Sequence, residues 1–281
     1  MVVLWHTYKH CLQVKIMKKL IVQGAAILLL FFTIWFALSQ IDWINIFKIN
    51  QVTDKTEEKL GDKLWEVIQQ SEKEIRNARV VNSVDSIINH VCKENNIDRE
   101  KLKIHILENS DINAFALPNG HLIIYSGLIV NSDNQEELAG VICHEIAHIE
   151  LNHIMKKLVK EIGLTVLISM TTGNGGAEII KETARMLSST AFDRSLEKDA
   201  DIKAVDYMVN AKINPESFAN FLYKLSISES SSSQYLNWIN THPDSKERSA
   251  YVIEYSKGKS EDFRPILSEE QWNRTTMELE N

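Results

Sequence analysis

Residues 138–158 read Leu-Ala-Gly-Val-Ile-Cys-His-Glu-Ile-Ala-His-Ile-Glu-Leu-Asn-His-Ile-Met-Lys-Lys-Leu, and the fold turns on this stretch. Leu138, Val141, Ile142, Ile149, Leu151, Ile154, Met155 and Leu158 recur mostly at three- and four-residue intervals, the period of an amphipathic helix. Asp133 followed by Glu136 has the form of a capping box, so one helix is expected from about residue 134 to about 158. On it His144 and His148 share a face, because positions i and i+4 lie one above the other. Both imidazoles can then reach one cation. Glu145 sits about 100° further round, beside the cation without ligating it, where a general base would stand. The plain alternative is a polar helix face carrying two solvated histidines.

A catalytic zinc takes three protein ligands and keeps one position open for water, so a third ligand is required elsewhere. Downstream, Glu197 and Asp201 precede Ala204, Val205, Met208 and Val209 in a helical pattern that puts both carboxylates on the apolar side. Glu197 fits the third ligand. Asp201 fits an acceptor for the second ring nitrogen of a ligating histidine, which fixes the tautomer of that imidazole. The alternative is an acidic turn at a helix start, favoured there by the dipole. Ahead of the His144 helix, residues 102–107, 112–117 and 121–130 are β-rich, and Pro118-Asn119-Gly120 is a turn signal. A small sheet is expected there. Leu60, Leu64, Val67 and Ile68, then Val84, Ile87, Ile88 and Val91, mark two helices within 54–96.

These segments together resemble the gluzincin metallopeptidases of the HtpX, BepA/LoiP and CaaX prenyl protease group. The resemblance covers roughly residues 55 to 255 and is carried by four ordered elements. They are Asn113-Ala114-Phe115-Ala116-Leu117-Pro118-Asn119-Gly120-His121 running on to Tyr125-Ser126-Gly127-Leu128, the His144 to His148 motif, Glu197 through Asp201 with the later Asn214-Pro215, and Thr241-His242-Pro243-Asp244-Ser245 with Arg248. It implies an α+β, mainly helical, zincin-like metallopeptidase domain with a small sheet over the motif helix and one zinc ion per chain. The substrate implied is a polypeptide in extended conformation, paired to the edge of the strand at Ala114, Phe115 and Ala116. Read from the residues alone, that strand fits a core hairpin equally well. By the same resemblance His242 lies near the metal, either stabilising the transition state or filling the open position in a resting form, and Arg248 anchors that loop or contacts substrate. His105, His121 and His153 match no ligand position and are expected to be ordinary surface or half-buried residues.

Leu20 to Leu38 is a run of 19 residues without a charge, just long enough to cross a bilayer. Lys9, Lys15, Lys18 and Lys19 precede it with no acid, which places the N-terminus in the cytoplasm and everything from about residue 42 on the far side. Met17-Lys18-Lys19 also has the form of a bacterial start. A cleaved signal peptide with small residues at Ala37-Leu38-Ser39 is the alternative; the apolar continuation through Ile41, Trp43, Ile44, Ile46 and Phe47 favours a retained anchor. The expected organisation is a basic segment 1–19, an anchor 20–38, a metallopeptidase domain 54–256 and a polar tail 257–281. Ile162 to Met170 is too short to span a membrane, and the glycines that follow suit a mobile connection, as does the serine-rich stretch 226–233.

Setting the first four lysines aside, 27 Lys+Arg stand against 38 Asp+Glu, a net of −11, so nucleic acid is not an expected partner. The cysteines, Cys11, Cys92 and Cys143, have no framework spacing; a Cys92–Cys143 bridge stays open. The expected activity is that of a membrane-anchored zinc endopeptidase acting on misfolded or misassembled envelope proteins. The alternative is a membrane-tethered chaperone or assembly factor in which zinc is structural or latent, with His242 as fourth ligand.

Overall fold

Helix α1 (Met17–Phe36) spans 20 residues, long and apolar enough to cross a membrane. Its large side chains, Leu29 and Trp35 among them, point outward and are exposed. It belongs to the first of two units into which the computed structural model divides, Met1–Val52 and Thr53–Asn281, each described here by itself. The described residues are 17–19, 22–36, 54–172, 176–228, 236–259 and 262–280. Residues 20–21 and 37–38 of the expected anchor, and residues 229–233 of the serine-rich stretch 226–233, lie outside them.

The second unit opens with α2 (Asp54–Ser71) and α3 (Ala78–Glu94), the two helices expected from the sequence. Their stripes at Leu60 and Leu64, and at Val84, Ile87, Ile88 and Val91, are buried. Strands β1 (Lys103–Leu107), β2 (Ala114–Ala116) and β3 (His121–Tyr125) form one sheet in the order β1-β3-β2, with β1 parallel and β2 antiparallel to β3. The β2–β3 turn places Asn119 at φ 62° and Gly120 at φ 69°, the paired left-handed conformation that an Asn-Gly dipeptide supports. The β-rich run 121–130 does not continue as strand. It turns into α4 (Ser126–Asn131), because the Ser126 hydroxyl donates to the Asn109 carbonyl and the Gly127 amide donates to the same oxygen. A Cβ at Gly127 would lie 2.3 Å from the Ser110 carbonyl oxygen.

The motif helix α5 (Gln135–Glu150) starts one residue later than the Asp133 cap implied. Asn134 caps it by accepting from the Glu137 amide at 2.9 Å, and Glu137 in turn accepts from the Asp133 amide at 2.9 Å. This is a variant of the capping box shifted by one residue, in which Glu137 reaches the amide before the cap and not the cap's own. Nor does the helix run to 158. It ends at Glu150, Asn152 takes a left-handed conformation (φ 56°, ψ 31°), and α6 (His153–Glu161) begins in a new direction. Asn tolerates that conformation better than most residues.

After α6 come α7 (Leu164–Thr171) and an unforeseen α8 (Ala177–Ser189), both packed on α2. Helix α9 (Arg194–Asn210) lies along α5, and α10 (Pro215–Ser228) packs on α5 and on α12 (Ser245–Ser256), with the short α11 (Leu236–Thr241) between them in sequence. Gly140 lets α5 and α10 approach; a Cβ there would stand 2.5 Å from that of Phe218. The segment after 257 is not merely a polar tail. Gln135 takes its backbone in, accepting from the Ile266 and Leu267 amides and donating to the Leu267 carbonyl. Helix α13 (Glu269–Glu280) then packs on α3, burying Trp272 and joining Thr275 to Ser83 at 2.7 Å. Cys92 and Cys143 are buried free thiols.

Candidate metal centre

Helices α5 and α9 meet with their polar stripes facing each other inside the core. His144, Glu145, His148, Glu197 and Asp201 are all nearly inaccessible, which buried charges tolerate only when they pair or hold a metal. His148 Nε2 lies 3.0 Å from His144 Nε2 and 3.3 Å from Glu197 Oε1, and His144 Nε2 lies 3.7 Å from Glu197 Oε2. Zinc–nitrogen and zinc–oxygen bonds of about 2.0–2.1 Å in a tetrahedron separate neighbouring donors by roughly 3.3–3.4 Å, so these three donors have the spacing of ligands round one small cation. His242 joins them from the turn after α11: its Nδ1 is 3.3 Å from His144 Nε2 and 3.0 and 3.1 Å from the two Glu197 oxygens. Donor atoms of all four residues fall within 4.8 Å of one another.

Outside the donors, Asp201 Oδ1 lies 2.8 Å from His144 Nδ1, which orients that imidazole with Nε2 inward. Arg248 donates from Nε and Nη2 to the two Asp201 oxygens at 2.8 and 2.7 Å, and Tyr251 donates its hydroxyl to Oδ2. Burial works against ionised Asp201, but the Arg248 charge and the His144 contact outweigh it and hold the carboxyl at about 2. Arg248 Nη1 also stands 2.6 Å from Glu197 Oε2. Glu197 is likewise held well below the carboxylate range, burial being overcome by Arg248 and then His242. Burial, with His144 beside it, pushes His148 down to about 4, so it is neutral at pH 7, as a ligand must be.

Glu145 differs from its neighbours. Both of its oxygens are buried without a close hydrogen-bond partner, and burial, followed by repulsion from Glu197, outweighs Arg248 and the Ala116 backbone amide and raises its pKa well above the ordinary carboxylate value. The nearest histidine nitrogen is His242 Nε2, at 3.4 Å and also unpartnered. Orphaned acceptors in a buried polar site call for a guest that supplies protons or charge.

A family model described as "Peptidase family M48" matches residues 78–255. The chain belongs to peptidase family M48. This is a family of zinc metallopeptidases, and the chemistry of the donor set assembled here fits that metal. The M48 chain is 23% identical over 199 residues to a beta-barrel assembly-enhancing protease of Yersinia pestis, an alignment covering 64% of this chain and 41% of that protein. It is 27% identical over 195 residues to the mitochondrial metalloendopeptidase OMA1 of Bos taurus, covering 63% and 37%. To the metalloprotease LoiP of Escherichia coli it is 27% identical over 165 residues, covering 56% and 64%. The M48 chain therefore spans about two fifths of the length of the first two relatives.

The fold brings His144, His148, Glu145, Glu197, Asp201 and His242 to one place. Ala114, Phe115 and Ala116 form an edge strand packed on α5, with all three side chains buried. Asn113 and Leu117 bond to β3, so by alternation the backbone groups of Ala114 and Ala116 face away from it, on an edge where both residues are buried and α8 also packs. Arg248, expected either to anchor the His242 loop or to contact substrate, is buried and turned inward, its guanidinium held by two carboxylates. Three further groups stand against His148 and its neighbours. His153, expected to be a surface or half-buried residue, is fully buried, with Nδ1 3.0 Å from His148 Nδ1; Phe192 stacks on His148 at 4.1 Å between centroids; and Lys157 stands 4.3 Å over the Phe192 ring. Only the Asn at 152, a residue prone to break a helix, hinted at the turn that brings His153 inward.

Proposed function

We propose that this chain is a membrane-anchored zinc endopeptidase, with His144, His148 and Glu197 as ligands and Glu145 as general base. The observation that carries the proposal is a set of donors at ligand spacing beside a buried, unpartnered carboxylate. When bound, zinc supplies Lewis acidity, bringing hydroxide within reach near neutral pH and polarising a carbonyl. Glu145, with its raised proton affinity, takes a proton from the attacking water and returns it to the leaving amine. Asp201 keeps His144 in the ligating tautomer, and Arg248 fixes both carboxylates of α9. The outer edge of β2, covered in the closed form, pairs with an extended polypeptide through Ala114 and Ala116 once the site opens.

His242 is assigned to the resting state. Its Nδ1 shares Glu197 and its Nε2 faces Glu145, so it stands where a substrate and water need room. Opening the 242–244 turn then precedes catalysis, and the tethered-chaperone reading corresponds to a protein that never opens. Helix α1 with its lysine flank supports an anchor whose catalytic unit lies outside the cytoplasm. One relative's name refers to β-barrel assembly, which supports envelope proteins as the substrate class.

The test is cleavage of casein by the detergent-solubilised chain. We expect activity that a chelator abolishes, a Glu145→Gln variant that holds one zinc but is slower by about 10²–10⁴-fold, and a His242→Ala variant faster than the parent. Undiminished cleavage by Glu145→Gln would refute the assignment.

A further inference from the structure

The two ligating histidines are anchored by different chemistry. His144 backs onto a carboxylate, Asp201 at 2.8 Å, whereas His148 backs onto a second imidazole, His153 at 3.0 Å between Nδ1 atoms. His148 Nε2 is the atom that faces His144 Nε2 and Glu197. Ligation through Nε2 requires the His148 proton to sit on Nδ1, so Nδ1–H donates to His153 Nδ1, and His153 must carry its own proton on Nε2. On an uninterrupted helix a residue five places after His148 would lie about 140° round the axis from it and could not make this contact. The left-handed Asn152 creates it, by ending α5 and starting α6 with His153 as its first residue. Phe192 covers one face of the same imidazole at an interplanar angle of 29°, leaving the Nδ1 edge to His153.

We infer, building on the zinc reading above, that His153 is a positioning residue for the metal: delivered by the break at Asn152, it fixes the tautomer and aim of His148 through a neutral imidazole–imidazole hydrogen bond. Partners of this kind set how tightly a metal is held, and losing one typically costs about 10–100-fold in affinity.

The experiment measures zinc dissociation constants by chelator competition on the detergent-solubilised full chain, with the absorption spectrum of the cobalt-substituted protein and the melting temperature of the metal-free form. His153→Phe keeps the ring and removes the acceptor; His153→Gln restores an acceptor oxygen. We expect His153→Phe to bind zinc about 10–100-fold more weakly with a shifted cobalt spectrum, and His153→Gln to recover most of the affinity and the parent spectrum. The metal-free forms should melt close to the parent. Parent-like affinity and spectrum in His153→Phe would overturn the inference, as would a folded His153→Gln that binds no better than His153→Phe. If His153→Phe does not fold, His153→Gln decides alone, parent-like binding supporting the inference and a 10-fold or greater loss overturning it. Glu197→Gln serves as the control: a parent that holds zinc no better than this variant would sink the zinc reading itself.

Discussion

Arg248 is the residue on which both α9 carboxylates depend. It pairs with Asp201 and Glu197 while almost completely buried. Replacing it by Met leaves two carboxylates in the core, a class of change that costs about 3–5 kcal/mol. A bound divalent cation would resupply positive charge to Glu197 but not to Asp201. Arg248→Met should therefore lose more stability after chelator treatment than with zinc present; equal losses in the two denaturant titrations would contradict this account. The candidate donors His144, His148 and Glu197 were legible because all three lie on helices, where spacing alone assigns a face. The partnership of Arg248 with Asp201 was not, since residues 47 apart in sequence are brought together only by the packing of α12 on α9.

At the scale of elements, a polar chain fastens α2 to the sheet. Lys103 Nζ bridges Asp62 Oδ1 at 2.7 Å and His121 Nε2 at 3.3 Å; His121 Nδ1 meets His105 Nε2 at 2.9 Å; and His105 Nδ1 meets Glu74 at 3.2 Å. Trp65 stacks on His105 at 3.6 Å. Burial and the Lys103 charge push His121 down to about 4, against the pull of Asp62. Because this folded value lies below the ordinary 6.5, the unfolded chain takes up the proton first. Stability from this group is intact above about pH 6.5 and declines as pH falls towards 4, by up to about 3 kcal/mol. His121→Gln should show a shallower loss of melting temperature than the parent over that window; parallel curves would refute it. The sequence marked both strands but not this cluster, because the alternation that aims His105 and His121 to one side says nothing of which helix covers them. It also misjudged α4, since the Ser126–Asn109 pairing that ends β3 is a contact between separate segments.

Across the whole molecule, the second unit extends beyond the segment matched by the family model, since Leu267, Trp272 and Thr275 are buried against α3 and its surroundings. Trp272→Ala should lower stability by about 3 kcal/mol, measurable by thermal denaturation; an unchanged melting temperature would show α13 to be dispensable. Deleting residues 1–53 should move the protein from the membrane to the soluble fraction while keeping chelator-sensitive cleavage.

Helices α6, α7 and α8 occupy the stretch of chain between His148 and Glu197, while α5 and α9 pack on each other directly. The intervening chain is thus a loop whose two ends are clamped by other contacts. For such a loop the entropy of closure rises only with the logarithm of its length, about 0.6 kcal/mol for each doubling. Lengthening the chain where α7 gives way to α8 accordingly costs the frame little, whereas the buried Leu167, Met170, Ala184 and Leu187, and Phe192 stacked on His148, tie the rest of the stretch to it.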